Sequence, residues 1–148
     1  MSGVSAVFKK LSPLTKLIGA EPLGSPKMKN SIEKGKVSTL PKIDTFVDGC
    51  AVKTPGVKTF QILSQVLDDI VVVPEGLVCK TIMEVYNEEG IVTEPAGAIS
   101  IAALESYRGL IKGKTVVAVV SGGNNDIART EEIKRRAKEY EMRKVQSE

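Results

Sequence analysis

Residues 68–87, DDIVVVPEGLVCKTIMEVYN, decide the fold of this chain. The apolar run at 70–73 predicts a strand over 69–75 that is buried on both faces, because a strand with one exposed face alternates apolar and polar residues. The following segment, 76–87, is long enough for a helix. A buried strand that leads into a helix is typical of βαβ units, which form parallel sheets covered by helices on both faces.

The same alternation extends along the rest of the chain. Apolar residues at helical spacing predict a helix over 2–11: Val4, Val7, Phe8 and Leu11. Other predicted helices cover 26–34, the region around 60–67, 98–110 and the charged segment after 126, and other predicted strands cover 16–20 and 115–120. The segment 37–56 is rich in glycine and proline and has no period, so an ordered loop is expected there.

Three strands are fewer than the five or six of most such sheets. The first predicted helix also has no strand before it. The sequence therefore predicts an α/β fold in which residues 1–148 form a single partial domain. We expect a partial Rossmann-like parallel sheet of about three strands flanked by helices, with a charged helical tail at 127–148.

Composition excludes several classes of protein. Hydrophobic residues make up 42% of the chain and charged residues 26%, which is typical of ordinary globular proteins. The net charge of +3 is evenly spread and predicts no nucleic-acid partner. The apolar runs are too short for a membrane span, and the first lysines follow rather than precede the apolar residues, unlike a secretory signal. These features predict a cytoplasmic protein with no membrane partner.

The chain contains no histidine and only two cysteines, Cys50 and Cys79. The absence of histidine excludes imidazole bases and Ser-His or Cys-His nucleophile pairs within this sequence. The two cysteines are far apart, so they are expected to be small buried hydrophobic residues. Chemistry would have to come from carboxylates, lysines, backbone groups or a cofactor.

Polar loops follow or lie near the predicted strands. They are EPLGSPK at 21–27, VDGCAVKTPG at 47–56, EPAGA at 94–98 and SGGNND at 121–126. In parallel sheets, ligands bind beyond the carboxyl ends of the strands. Two glycines after a strand let the backbone approach a ligand closely, and Ser121 and Asn124 could then hydrogen-bond to it. The alternative for each loop is a tight turn with no ligand.

Six segments occur in a characteristic order: SGVSAVFKKLSP, IGAEP, TFVDGCAVKTPG, LDDIVVVPE, TEPAGA and VVSGGNND. In that order the sequence resembles the catalytic domain of the pyridoxal-phosphate-dependent threonine dehydratases, or threonine ammonia-lyases. This fold type II group also contains serine racemase. The resemblance implies the later part of such a domain, an incomplete fold, pyridoxal 5'-phosphate as cofactor and an amino acid substrate. It also implies a homo-oligomer or a complementing amino-terminal segment as partner, and a role in amino-acid metabolism such as isoleucine biosynthesis.

The resemblance also implies roles for individual residues. Ser121 would contact the ring nitrogen of the cofactor, and Gly122, Gly49 and Glu94 would lie against the cofactor. Asp48 would lie near the substrate. Asn124 would contact a possible nucleotide effector. The alternatives are a simple turn role for Ser121 and, for Glu94, stabilisation of the helix that it precedes.

Some relatives bind a divalent cation after the EP segment. Glu21 and Ser25 match two of the ligand positions, but Lys27 stands where a further acidic residue would be. An ammonium group there would repel a cation and could replace it by pairing with Glu21. We therefore predict no metal at this site.

Three motifs of the family are absent from the sequence. They are the Ser-x-Lys-x-Arg-Gly motif with the Schiff-base lysine, the Ser-Ser-Gly-Asn-His substrate loop and the tetraglycine phosphate loop. We therefore assign no catalytic residue in this chain and expect solvated or structural roles for Lys53 and Lys80.

Two functions remain open: a segment of a threonine ammonia-lyase that is inactive alone, and a non-catalytic truncated or split-gene product that pairs with a partner chain. Serine dehydration or racemisation is a further alternative.

Overall fold

A computed structural model describes residues 1–147, with side chains for residues 1–146. The described helices and strands are, in order, α1 Ser2–Leu11, β1 Ile18–Pro22, α2 Lys27–Glu33, α3 Val57–Val66, β2 Asp69–Val73, α4 Glu75–Glu89, α5 Pro95–Ala102, α6 Leu104–Tyr107 and α7 Thr130–Ser147. Two short 3₁₀ turns lie at Asp48–Cys50 and Ile127–Arg129.

The two strands form a parallel pair in the register Ile18 to Asp69 through Pro22 to Val73. The crossover between them contains α2, the long loop and α3, as a parallel connection requires. After the last paired residues, Leu23 N–H donates to Val73 O at 2.9 Å and continues the ladder. The predicted α/β class, a partial parallel sheet flanked by helices, is confirmed.

The prediction of a third strand at 115–120 is wrong for the described part of the chain. This segment is not part of the sheet, and Val117 is 83% exposed. An apolar run becomes a strand only when a neighbouring strand takes up its backbone hydrogen bonds, and β1 and β2 pair with each other. The segment is held instead by the Ser100 hydroxyl, which donates to Val119 O at 2.7 Å.

The helix predicted over 98–110 differs in its bounds. It begins earlier, at Pro95, whose fixed backbone angle suits the first turn of a helix. It is divided at Ala103 into α5 and the single-turn α6. The early start places Glu94 at the amino end of α5, next to the polar loops.

Helix α4 lies at the centre of the main hydrophobic core. Val78 and Cys79 on this helix have no exposed surface. The other members come from α4 itself and from the long loop, β2, the region of α5 and α7, namely Phe46, Val47, Val73, Leu77, Ile82, Ala98, Ile99, Ala102, Ala103, Ile133 and Ala137. Helix α7 therefore contributes a packed face to the domain, while its outer face carries ion pairs such as Arg135 to Glu139 at 2.7 Å.

Helix α1 presents its apolar side to the outside of the described structure. Its buried residue is Ser5, and the helix packs on α3. Val7, Phe8 and Leu11 are exposed, Leu11 to 77%. The predicted apolar stripe of α1 is therefore present, but no described residue covers it.

Both cysteines are free thiols. Cys79 is buried, as the sequence predicts, whereas Cys50 is only partly buried. Burial raises the pKa of Cys79 to about 12, because the loss of solvent disfavours the thiolate by more than the nearby Arg136 favours it. Burial also raises the pKa of Cys50, which is half-buried. Among the residues that the structure covers, no helix has the length and apolar content needed to cross a membrane.

Candidate active site

Three of the predicted cofactor-binding residues lie together in the structure. A Cβ placed on Gly122 would lie 2.4 Å from Glu94 Oε1, and one placed on Gly49 would lie 3.8 Å from the same oxygen. The side chain of Glu94 therefore lies between the 3₁₀ turn at Asp48–Cys50 and the loop at 121–126. This arrangement brings together segments that are more than 70 residues apart in the chain.

Backbone hydrogen bonds hold the loop at 121–126 against the start of α5. Glu94 N–H donates to Gly122 O at 3.1 Å, and Asn124 N–H donates to Glu94 Oε2 at 3.2 Å. A Cβ on Gly97 would lie only 2.2 Å from Gly122 O, so Gly97 permits the contact. Sequence reasoning did not single out Gly97, although the glycine of the EPAGA segment was the available signal.

Ser121 is exposed, and its hydroxyl has no hydrogen-bond partner among the described residues. Asp48 is also exposed; its Oδ1 accepts a hydrogen bond from Gly49 N–H at 2.9 Å, and its Oδ2 lies 3.7 Å from Arg129 Nη1. Both polar groups are therefore available to a ligand at the edge of the cluster.

Asn124 is exposed and contributes its backbone N–H to the bond with Glu94. Its side-chain amide forms no hydrogen bond within residues 1–147. An effector contact through Asn124 stays a prediction.

Two buried oxygen atoms in the described part of the chain lack hydrogen-bond partners, and both belong to these segments. They are Thr93 Oγ1, next to Glu94, and Asn125 Oδ1 in the glycine-rich loop. Buried polar atoms in proteins are nearly always satisfied by protein or by ordered water. Their occurrence here, and not in the packed core, is consistent with a region that receives a polar group from outside the chain.

The Glu21 site contains an ion pair. Lys27 Nζ lies 3.1 Å from Glu21 Oε1 and donates to Cys50 O at 2.9 Å. The buried carboxylate also accepts hydrogen bonds from Met28 N–H and Lys29 N–H at the start of α2. The ammonium and the helix amides thus balance its charge.

No group of three or more Cys, Asp and Glu side chains in residues 1–146 is arranged to hold a metal ion. The two lysines considered in the sequence lie elsewhere. Lys53 is exposed, and Lys80 on α4 forms an ion pair with Glu84.

The sequence matches the model of the family described as "Pyridoxal-phosphate dependent enzyme" over residues 1–122. It is 55% identical over 141 residues to the L-threonine dehydratase biosynthetic IlvA of Halalkalibacterium halodurans, covering 95% of this chain and 34% of that protein. The corresponding protein of Bacillus subtilis is also 55% identical over 141 residues, with 95% and 33% covered. The chain therefore spans about a third of the length of these relatives.

Solved structures show the same fold. Threonine deaminase isoform 2 from Solanum lycopersicum superimposes with a TM-score of 0.86 at 35% identity, over 92% of this chain and 40% of that one. Serine racemase from Dictyostelium discoideum gives a TM-score of 0.76 at 30% identity, over 85% and 40%. Since the family match includes most of the chain and both polar segments around Gly49 and Glu94, this protein belongs to the family of pyridoxal-phosphate-dependent enzymes.

Proposed function

We propose that this chain is a segment of the catalytic domain of a threonine ammonia-lyase, which converts threonine to 2-oxobutanoate and ammonia. In this proposal the chain supplies the contact to the ring nitrogen of pyridoxal phosphate and one wall of the pocket. The observation that carries the proposal is the cluster of Gly49, Glu94 and Gly122 beside the unpartnered hydroxyl of Ser121. The identity to the two biosynthetic relatives supports the choice of substrate.

The residues of the cluster fit the edge of a planar ring. Ser121 would hydrogen-bond to the ring nitrogen. Because a Cβ at Gly49 would meet Ala96 and one at Gly122 would meet Glu94, the two glycines let these loops pack closely against the start of α5. Pyridoxal phosphate, when bound, supplies an electron sink for chemistry at the carbon atoms of an amino acid. A serine hydroxyl stabilises a protonated ring nitrogen less than a carboxylate does, so this site favours rapid loss of a β-hydroxyl.

The two acidic residues have separate roles in this proposal. Glu94 carries negative charge at the amino end of α5 and accepts Asn124 N–H, so it holds the glycine-rich loop in place and can share a proton network with the ring side. Asp48, whose side chain is 70% exposed although its Oδ2 lies 3.7 Å from Arg129 Nη1, would lie near the substrate and attract the ammonium group of an amino acid. Asn124 is the candidate contact for a nucleotide effector. Lys27 occupies the position of a cation beside Glu21, and we propose that no metal binds there.

Another polypeptide segment would supply the reactive lysine, the phosphate loop and the loop for the substrate carboxylate, because the corresponding motifs do not occur in this sequence. The chain alone is therefore expected to be inactive. We further propose that the complete enzyme is a cytoplasmic homo-oligomer.

The test is to titrate the purified chain with pyridoxal phosphate, record visible absorption, reduce with borohydride and locate any label by mass spectrometry. No specific lysine label is expected. The portion of the Bacillus subtilis relative that precedes the matched region is then added, and 2-oxobutanoate formation from threonine is measured. Activity is expected in the mixture, lower with Ser121→Ala and unchanged with Ser64→Ala, an exposed serine of α3.

Two results would contradict the proposal. One is a folded, associated mixture that does not act on threonine. The other is a single labelled lysine in the chain alone with threonine-dependent loss of the absorption band, which would place the chemistry on Lys53 or Lys80.

A second candidate function is a non-catalytic chain that pairs with a partner. It is favoured by the exposed apolar residues of α1 and by the exposed segment 115–120. The partner in this case is the preceding segment of the same catalytic domain, which would cover both surfaces. Binding of that segment without turnover, measured by sedimentation and by the oxobutanoate assay on one sample, would favour this second function.

The substrate alternatives are separated by the same assay. Similarity to serine racemase at 30% identity keeps serine dehydration and racemisation open. Pyruvate or D-serine formed from L-serine faster than 2-oxobutanoate from threonine would assign serine as the substrate.

A further inference from the structure

Arg129 connects the two polar segments that form the walls of the candidate site. It is the last residue of the 3₁₀ turn Ile127–Arg129, which directly follows the loop at 121–126. Its Nη2 donates to Phe46 O at 2.6 Å, two residues before Asp48, and its Nη1 lies 3.7 Å from Asp48 Oδ2. The guanidinium group of Arg129 therefore connects the end of the loop at 121–126 to the segment that leads into the turn at Asp48–Cys50.

The side chain of Phe46 makes this connection rigid. Phe46 is 3% exposed, and two guanidinium groups lie over its ring, with Arg129 Cζ at 4.7 Å and Arg136 Cζ at 4.5 Å from the ring centroid. Cations at these distances are attracted to the face of an aromatic ring. Both arginine side chains are 24% exposed, so solvent screens these contacts only in part.

Arg136 on α7 fixes the same segment from its other end. Its Nη1 donates to Asp44 Oδ2 at 2.9 Å and its Nε to Glu132 Oε1 at 2.8 Å. Asp44 Oδ1 in turn accepts from Phe46 N–H at 2.8 Å. The segment 44–48 is therefore held by Arg136 of α7 at Asp44 and by Arg129 at Phe46 O and Asp48.

The turn of Arg129 is itself well defined. Asp126 Oδ1 accepts from Ala128 N–H at 2.9 Å, and Arg129 N–H donates to Asp126 O at 3.0 Å. The Arg129 side chain thus starts from a well-defined backbone turn, and its guanidinium group lies over the buried ring of Phe46. Such a residue can set the separation between the two loops, whereas a flexible surface arginine cannot.

We infer that Arg129 is a positioning residue that sets the distance between the turn at Asp48–Cys50 and the loop at 121–126, and so the width of the cofactor site. The link to a cofactor site rests on the function proposed above. The effect of Arg129 on the two loops is tested without the cofactor. Arg129 touches neither Ser121 nor Glu94 in the described contacts, so its effect on a ligand would act through Phe46 and Asp48.

The test is hydrogen exchange on the full chain without pyridoxal phosphate. In Arg129→Ala, amide exchange at 47–51 is expected to rise about tenfold, the size that corresponds to the loss of one charge-assisted hydrogen bond. Arg129→Lys, which keeps the charge but lacks the planar, forked guanidinium group, is expected to give an intermediate increase. Arg135→Ala on the outer face of α7 is the matched control and is expected to leave 47–51 unchanged.

Exchange that increases at 127–134 but not at 47–51 would overturn the inference, because Arg129 would then stabilise only its own turn. In a second arm, pyridoxal phosphate is added together with the portion of the Bacillus subtilis relative used in the activity test. The cofactor is expected to protect both loops in the wild type and in Arg135→Ala, and to protect them less in Arg129→Ala and Arg129→Lys.

Equal protection in all variants would overturn the positioning role. Absence of protection in the wild type would contradict the proposed function, while the ligand-free comparison would still decide whether Arg129 couples the loops.

Discussion

Gly97 lies directly against the backbone of Gly122, so that a Cβ on Gly97 would be 2.2 Å from Gly122 O and 3.0 Å from Gly122 N. The first turn of α5 and the glycine-rich loop are therefore in backbone contact, and neither can move away alone, because Glu94 N–H also donates to Gly122 O. A methyl group on Gly122 would meet the end of the Glu94 side chain, which can rotate, whereas a methyl group on Gly97 would meet backbone.

Gly97→Ala is expected to displace the loop at 121–126 and to destabilise the chain by about 1–3 kcal/mol, the usual range for overpacking. Gly109→Ala is the control, since no atom lies within 4 Å of a Cβ at that position. Urea unfolding of both variants measures the difference. An equal free energy of unfolding for the two would show that the contact at Gly97 is relaxed in solution.

Lys27→Met is expected to lower the free energy of unfolding by about 1–3 kcal/mol, because it leaves the buried Glu21 carboxylate without its cation. The loss is smaller than for a fully isolated charge, since Met28 N–H and Lys29 N–H still donate to Glu21. The exposed Lys10, changed in the same way, serves as control. Double substitution of Lys27 and Glu21 should recover part of the loss, and no recovery would contradict the pairing.

Asp44 is expected to make stability depend on acid pH. Partial burial acts to raise the pKa of Asp44, but hydrogen bonds from Phe46 N–H and Arg136 outweigh burial and hold that pKa below its ordinary value of 3.8. A carboxylate with a lowered pKa stabilises the folded state above the unfolded pKa, and this contribution is lost as pH falls through the folded pKa.

Asp44→Asn should therefore cost about 1 kcal/mol at neutral pH, and the difference from wild type should shrink below about pH 4. Urea unfolding over this pH range measures the effect, with exposed Glu88→Gln as the control. A difference that stays constant with pH would show that the Asp44 charge contributes nothing.

Two glycines in open space are expected to respond to alanine with opposite signs. No atom lies within 4 Å of a Cβ at Gly3 or at Gly35, but Gly35 has φ of +66° and Gly3 lies in α1. Gly3→Ala should raise the free energy of unfolding by about 0.5–1 kcal/mol by favouring the helix. Gly35→Ala should lower it by about 1–2 kcal/mol through the left-handed backbone. Thermal unfolding of the pair checks both, and a shared sign would contradict the backbone argument.

Local pattern was sufficient to predict most helices and both paired strands. Helix α1 follows from the spacing of its apolar residues, and β2 from its run of Ile and Val, because these patterns act within ten residues. Pairing is not local. The segment 115–120 has the composition of a strand, yet its structure depends on whether another strand lies beside it, which its own residues do not encode.

The candidate site was predictable in its loops but not in its connections. Gly49, Glu94 and Gly122 were predicted because their segments match motifs of the family that the sequence resembles, and the structure brings them together. Arg129 and Phe46 gave no such signal. An arginine near a charged helix and a phenylalanine in an aperiodic loop are ordinary in sequence, and their contact joins positions 83 residues apart.

The two native thiols form a built-in pair of reporters for chemical labelling. Because only the thiolate reacts, Cys79, with a pKa of about 12 and no exposed surface, should be alkylated only when the core opens. Cys50 lies in the turn beside Gly49 and is half-buried, so it should react faster, at a rate that follows the local motion of that turn. Labelling kinetics of the wild-type chain, resolved by mass spectrometry, would thus separate local opening of the turn at Asp48–Cys50 from global unfolding.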